Sequence, residues 1–203
     1  MRLITLLTIR RAILAAVSLR DAVLAALLEG EASGYDLAKG FDASVANFWM
    51  ATPQQLYREL DRLAEQGLIQ ARVVHQERRP TKRMFSLTEA GRDAIRKFTA
   101  RAPKPSVIRD ELMVKVQAAD AGDAHAVRDF IVERLRRAEA KLQRYERLRS
   151  RILEGRSEEE YLARAERVGP YLTLLRGISF EEENIRWAGR ALEIIEHRLR
   201  AQA

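Results

Sequence analysis

The chain has 203 residues, of which 47% are hydrophobic and 32% charged, a balance that is typical of globular, helix-rich proteins and excludes a disordered chain. Because it contains no cysteine, disulfides, thiol nucleophiles and cysteine-ligated zinc are excluded, and the three histidines are too scattered to suggest a metal site (His75, His125 and His197). The net charge of +7 favours an anionic partner, and the excess is concentrated between Arg72 and Arg83, where Glu77 is the single acid.

Residues 1–16 are apolar, but Arg10 and Arg11 divide them into short runs. A signal peptide needs an uninterrupted apolar segment, and this stretch is too short to span a bilayer. We therefore expect an N-terminal extension. A native start further along the chain and an amphipathic helix lying on a membrane surface are open alternatives. Without a membrane segment, the expected location is the cytoplasm.

Two short helices are predicted after this extension. The first follows the capping pattern Ser18–Asp21 and stops near Gly30. The second begins within Ser33–Leu37 and is predicted to run as far as Trp49.

The third helix is predicted to begin at its N-cap, Thr52, and to end before Gly67. Its leucines recur at spacings of four and three and form one buried stripe (Leu56, Leu60 and Leu63). Its first exposed turns carry side chains that bond to base edges or phosphates in a major groove (Gln54, Gln55, Tyr57 and Arg58). Three short helices with tight turns, the third with a polar face, predict a helix-turn-helix arrangement.

After the third helix the pattern becomes extended, with strands predicted over residues 68–76 and 82–87 on either side of the basic turn Glu77–Thr81. This β-hairpin is the predicted wing. Its cations are placed to bind DNA phosphates, although a solvated loop is the simpler interpretation of any charge run (Arg78, Arg79, Lys82 and Arg83). Thr88 is predicted to open a further helix that ends at Thr99.

Two long helices are predicted in residues 123–203, after a connecting segment over residues 101–122. The first ends at Gly155, and the second is interrupted at Gly169–Pro170 by a kink or a short break. Apolar residues recur in both at a spacing close to 3.5, as in a coiled coil. We therefore predict a homodimer, with a monomeric helical hairpin as the alternative. The predicted interface residues are Ile131, Leu135, Leu142, Tyr145, Leu172, Leu175, Ile178, Ile185, Trp187, Leu192 and Ile195.

Residues 18–98 resemble the PadR family of bacterial winged-helix transcriptional regulators. The resemblance rests on four motifs, LRDAVLAALL (19–28), SGYDL (33–37), QLYRELDRLAEQGLI (55–69) and KRMFSLTEAG (82–91). Leu175–Phe180, followed by Trp187, is similar to the end of the longer, Vir-type members. The resemblance implies a recognition helix and a wing that bind an inverted-repeat operator, and a C-terminal helical region that dimerises. It places Tyr35 close to the DNA backbone, and Lys39 and Thr52 complete the predicted DNA-contacting set.

The predicted fold class is mainly α with a small β-hairpin wing: an N-terminal winged helix-turn-helix domain over residues 17–100 and a C-terminal two-helix dimerisation region. The predicted function is a homodimeric DNA-binding regulator, by family default a repressor. A helical scaffold module whose winged helix does not bind DNA is the alternative. No nucleophile–base pair, phosphate loop or metal-ligand cluster occurs at useful spacing, so neither enzyme activity nor a cofactor is expected. A small aromatic effector is an open question, and the aromatic side chains that plain core packing or an effector site would use are Phe48, Trp49, Tyr171, Phe180 and Trp187.

Overall fold

A computed structural model describes residues 19–41, 51–76, 79–103 and 109–202, which fall into two compact units divided between residues 104 and 105. The described part of the first unit is a winged helix-turn-helix domain, as the sequence predicted. Its elements are α1 (residues 19–26, followed by the 3₁₀ turn Leu27–Glu29), β1 (Ala32–Ser33), α2 (Gly34–Phe41), α3 (Pro53–Glu65), β2 (Ile69–Gln76), β3 (Arg79–Leu87) and α4 (Glu89–Thr99).

The core of the first unit is built around the apolar stripe of α3. Leu56, Leu60 and Leu63 are buried, which confirms the face that their spacing predicted. They pack with Val23 and Leu24 of α1 and with buried residues of α2 and the sheet (Leu37, Ile69, Phe85 and Leu87). Since the apolar stripe faces this core, the polar side of α3 is turned to solvent.

The sheet has three strands rather than the two that were predicted. Strand β3 lies in the middle, with β2 on one side and β1 on the other, and all pairs are antiparallel. β1 is only two residues long, which is too short for an alternating hydrophobic pattern to predict it. Strand β3 also begins at Arg79, so Pro80, predicted in the turn, lies within the strand. A proline is tolerated there because β1 reaches only Met84 and Phe85 of β3.

Two residues join α3, the sheet and α4. Gly67 ends α3 with a φ of 68°, the left-handed conformation that favours glycine at a helix C-terminus. Thr88 caps α4 by accepting from the Gly91 N–H at 3.1 Å, while its hydroxyl donates to the Gly67 carbonyl oxygen at 2.7 Å. The predicted end of α3 and the predicted start of α4 are thus held by specific backbone contacts.

The second unit is a helical hairpin with smaller elements attached. It contains α5 (Glu111–Gln117), the 3₁₀ turn Ala119–Ala121, α6 (Ala124–Leu153), α7 (Glu158–Leu162) and α8 (Gly169–Gln202). Helices α6 and α8 run antiparallel, because Ile131 near the start of α6 packs with Ala188, whereas Tyr145 near its end packs with Leu174. The two long helices that the apolar spacing predicted are present.

Two features of this unit differ in detail from the sequence interpretation. The interruption at Gly169–Pro170 is a break, since α8 begins at Gly169 and the short helix α7 precedes it. The segment over residues 101–122 contains α5, whose Leu112 and Val116 pack on the α6–α8 cluster.

Several expectations lie outside the described residues, namely those on residues 1–16, Ser18, Phe48 and Trp49. Among the residues that are described, no helix is long and apolar enough to cross a membrane.

Candidate nucleic-acid interface

The start of α3 is fixed by a capping box that the sequence interpretation did not identify. Thr52 Oγ1 accepts from the Gln55 N–H at 3.2 Å, and Gln55 Oε1 accepts from the Thr52 N–H at 2.9 Å. The Thr-x-x-Gln spacing would have revealed it. Both residues were predicted to contact DNA, but the carbonyl oxygen of Gln55 and the hydroxyl of Thr52 are engaged in holding the helix end.

The remaining predicted contacts on α3 lie on its exposed side. Gln54, Tyr57 and Arg58 are all exposed, and Tyr57 keeps 45% of its surface accessible. Arg58 Nε donates to the Gln54 carbonyl oxygen at 3.3 Å, which leaves its terminal nitrogens available. Amide, phenol and guanidinium groups are thereby presented together on the first turns of one rigid helix, the arrangement that reads base edges in a major groove.

Tyr57 is positioned by the beginning of α2. A Cβ added at Gly34 would lie 2.4 Å from Cε1 of Tyr57, so the aromatic ring rests directly against this glycine. The neighbouring Tyr35 is 67% exposed, and Lys39, further along α2, is also exposed. The contact therefore brings the starts of α2 and α3 onto one surface that carries both tyrosines.

The wing is tied to this same surface by two ion pairs. Lys82 Nζ lies 2.7 Å from Asp36 Oδ2 on α2, and Arg83 Nη1 lies 2.8 Å from Asp61 Oδ1 on α3. The hydrogen bond from Lys82, followed by one from Ser33, holds the pKa of Asp36 below its ordinary value. Arg83 also lies over the ring of Phe85, with its guanidinium carbon 4.9 Å from the ring centroid. Two of the predicted wing cations are thus held by carboxylates.

The other predicted cations differ in their surroundings. Within the described part of the chain, neither Lys39 nor Arg58 has a carboxylate partner within ion-pair distance. Arg79 lies in β3, and Arg78 falls outside the described residues. No group of residues that would hold a metal ion occurs in the described part of the chain. Gly34, Asp36 and Asp61 also shape this surface, although none of them was among the predicted DNA-contacting residues.

The residues predicted for dimerisation divide into two groups in the second unit. Ile131, Tyr145 and Ile178 are buried, and they pack within the hairpin of a single chain. Seven others are partly buried, and five of these pack in the same two clusters (Leu135, Leu142, Trp187, Leu192 and Ile195). The remaining two are Leu175 and Ile185. Leu172, in contrast, is 54% exposed. Most of the predicted seam therefore stabilises the hairpin itself.

The described aromatic residues do not form one effector site. Tyr171 is fully buried, where its hydroxyl donates to Glu158 at 3.0 Å and accepts from Arg149 at 3.2 Å. Phe180 is exposed, and Trp187 packs with the separate cluster around Ile131. Since 16 residues of helix (171 to 187) span about 24 Å, Tyr171 and Trp187 cannot line the same small pocket.

Known proteins match both units of the chain. Residues 23–97 match the family model described as "Transcriptional regulator PadR-like family", and residues 108–196 match "Virulence activator alpha C-term". The "Negative transcriptional regulator PadR" of Bacillus subtilis (strain 168) is 30% identical over 186 residues, which cover 88% of this chain and 97% of that protein.

Solved structures of Bacillus subtilis PadR are similar to this chain along nearly its whole length. The complex with operator DNA has a TM-score of 0.68 at 27% identity and covers 88% of this chain and 99% of that one. The complex with p-coumaric acid has a TM-score of 0.63 at 26% identity and covers 88% and 95%.

Proposed function

This chain belongs to the PadR family of transcriptional regulators, and from that premise we propose that it is a repressor that binds an inverted-repeat operator as a homodimer. The name of the Bacillus subtilis relative, a negative regulator, supports repression, and its crystals with operator DNA support an operator as the ligand. Such a role places the protein with the bacterial chromosome, in the cytoplasm.

The observation that carries this proposal is the exposed face of α3. Gln54, Tyr57 and Arg58 stand together on a helix that is capped at its first residue and anchored by three buried leucines. Arg58 pairs with guanine or phosphate, and Gln54 pairs with adenine. A surface made for a protein partner would present exposed apolar anchors here, and Tyr57 is the single large apolar side chain among the described residues of this face.

A dimer supplies the second half of the recognition surface. Two copies of α3 must reach half-sites about one helical turn apart, roughly 34 Å along the DNA. We propose that the copies meet through an exposed face of α8 made by Leu172, Phe180 and Ile194. These positions differ by 8 and 14 residues (172 to 180 and 180 to 194), so they lie within an arc of about 80° on one side of the helix.

The direct test is a fluorescence anisotropy titration with the duplex immediately upstream of the protein's own coding region, against a scrambled duplex, over a series of salt concentrations. We expect selective binding at two chains per duplex. Absence of any binding at low salt would reject the DNA-binding proposal and favour a protein-interaction module. Repeating the titration with p-coumaric acid tests whether a small aromatic effector weakens operator binding.

Base reading and phosphate binding are separable by substitution. Arg58→Ala should lower the preference for operator over scrambled DNA by about 1–3 kcal/mol, because a base contact is lost. Arg78→Ala combined with Arg79→Ala should weaken binding to both duplexes and reduce the salt slope by about 1 per lost phosphate contact. Arg92→Ala, at an exposed arginine of α4, is the charge-matched control for Arg58→Ala and should change neither quantity. Identical behaviour of the α3 and wing variants would show that this division is wrong.

A further inference from the structure

The carboxylates that hold the wing come from α2 and α3, the two helices whose starts form the proposed DNA-binding surface. Asp36 lies one residue after the exposed Tyr35 on α2, and Asp61 is an exposed residue of α3 itself. Their partners Lys82 and Arg83 are 46 and 22 residues away in sequence, so both pairs connect separate elements. All four side chains remain at least one-third exposed, so DNA can reach every one of them.

From this arrangement we propose that Asp36 and Asp61 limit phosphate-driven DNA binding, because they hold Lys82 and Arg83 in ion pairs that compete with DNA phosphates. The inference rests on the proposed DNA-binding function and deepens it. A phosphate that approaches Lys82 or Arg83 meets a carboxylate that already lies within 2.8 Å of the cation, and this carboxylate both neutralises the cation and repels the polyanion.

The consequence is a lower affinity for every DNA sequence, so that stable binding requires base contacts in addition to phosphate contacts. Binding to random DNA depends on neutralising phosphates, and a cation that is already neutralised contributes little to it. An operator also forms base contacts with α3, which compensate for breaking the ion pairs. Asp61 lies on α3 between the base-reading residues and the wing. Its ion pair with Arg83 therefore opposes phosphate binding next to the residues that form the base contacts.

The wing cations also remain correctly placed while they are neutralised. Arg83 is held both by Asp61 and by the ring of Phe85, and Lys82 is held at the start of α2. Arg58 and Lys39, by comparison, have no carboxylate within ion-pair distance among the described residues. The two carboxylates therefore act selectively on the wing and leave the cations of the two helices free.

The test uses the full chain with Asp36→Asn and Asp61→Asn, singly and together. Asparagine keeps the size of each side chain and removes its charge, and at position 36 its amide oxygen can still accept the hydrogen bond from the Ser33 hydroxyl. The matched control is Asp93→Asn, an exposed aspartate of α4 that is paired with Arg96 in the same unit. The probe is a labelled random-sequence duplex of roughly 30 base pairs, long enough for two half-sites, titrated over a salt series.

We expect the double variant to bind the random duplex on the order of three- to tenfold more tightly than the wild type, with a salt slope steeper by up to about 2, since two cations are released to phosphates. The Asp93→Asn control should stay within about twofold of the wild type. Thermal unfolding measured alongside should show that all variants are folded.

Three results would overturn the inference. Equal tightening by the control would mean that net charge alone is responsible, and weaker binding by the double variant would mean that the carboxylates orient the cations towards phosphates. An unchanged affinity with an unchanged salt slope would mean that the pairs do not compete. Failure of the proposed function is distinguishable from these, because then neither the wild type nor any variant binds DNA at low salt.

Discussion

Two glycines of the first unit meet different neighbours, and this decides what a side chain at each position would cost. A Cβ at Gly34 would lie 2.4 Å from the ring of Tyr57, whereas a Cβ at Gly91 would lie 2.1 Å from the carbonyl oxygen of Leu68. The ring belongs to an exposed side chain that is free to rotate away. The carbonyl oxygen belongs to backbone that is fixed by its hydrogen bond from the Thr88 N–H.

Alanine at position 91 should therefore mainly reduce stability, whereas alanine at position 34 should mainly reduce DNA binding. We expect Gly91→Ala to lower the free energy of unfolding by about 2–3 kcal/mol, and Gly34→Ala by less than about 1 kcal/mol, as measured by urea unfolding. Gly34→Ala should nevertheless reduce operator affinity as much as Tyr57→Ala does, because the ring is displaced. The losses of operator affinity caused by Gly34→Ala and Tyr57→Ala should not be additive in the double variant. Additive losses would show that Gly34 does not position the tyrosine.

At the scale of single residues, the sequence predicted which side chains are exposed on α3 but not what holds them. The buried leucines and the exposed Gln54, Tyr57 and Arg58 follow from helical spacing alone. The contact between Tyr57 and Gly34, and the ion pairs of Asp36 and Asp61, join residues more than 20 positions apart. No local pattern encodes such contacts, because they depend on how the helices and the sheet are packed.

At the scale of helices, α5 is fastened to α6 by one bidentate ion pair. The two carboxylate oxygens of Asp110 accept from Arg134 at 2.6 and 2.8 Å, and Oδ1 also accepts from the Leu112 N–H as the N-cap of α5. The hydrogen bonds from Arg134 hold the pKa of Asp110 below its ordinary value of 3.8. One side chain thus serves both the helix end and the packing of α5 on α6.

This ion pair gives α5 a defined dependence on pH. Because the pKa of Asp110 is lower in the folded chain than in the unfolded one, its contribution to stability is present above about pH 4 and is lost as the pH falls through the folded pKa. We expect Asp110→Asn to lower the free energy of unfolding by about 1–2 kcal/mol at pH 7, and by less at pH 3, which lies below the ordinary pKa of the carboxyl group. Urea unfolding at both pH values measures this.

Glu111→Gln is the control for this prediction. Glu111 is the next residue, and its pair with Lys115 lies in solvent, where such pairs contribute little. We expect no measurable change at either pH. An equal loss for Asp110→Asn at pH 3 and at pH 7 would mean that the ionised carboxylate is not what fastens α5.

Element length explains which parts of the fold the sequence predicted. Helices α6 and α8, with 30 and 34 residues, repeat their apolar positions often enough to be recognised. Helices α5 and α7, with seven and five residues, and the two-residue strand β1 complete too few periods. These short elements are defined by their caps, such as the capping box between Ser157 and Glu160.

At the scale of the whole molecule, the dimer that we propose would form through the exposed apolar residues of one face of α8. Replacing Leu172 and Ile194 by lysine together should convert the proposed dimer to a monomer at micromolar concentration, because both side chains are more than half exposed and lie on that face. Sedimentation equilibrium measures the change. Operator affinity should fall with it, since two half-sites then bind two independent chains.

Val132→Lys serves as the control for the dimer prediction. Val132 is an exposed apolar residue of α6, outside the proposed face of α8, so the charge it introduces should leave the oligomeric state unchanged. A double variant that remains dimeric would place the interface elsewhere. The sequence predicted a seam of eleven residues for this role, but periodicity alone does not separate a seam that closes on its own chain from one that faces a second copy.

The short reach of β1 has a consequence for the protein at high concentration. In the described part of the chain, β3 from Arg79 to Arg83 is paired with β2 only, so one side of this stretch is an open strand edge. Open edges invite strands of other molecules to add to them, which is a route to aggregation. Pro80 supplies no N–H to such an added strand. The same short, basic, proline-containing stretch that serves the proposed wing also protects the sheet from self-association.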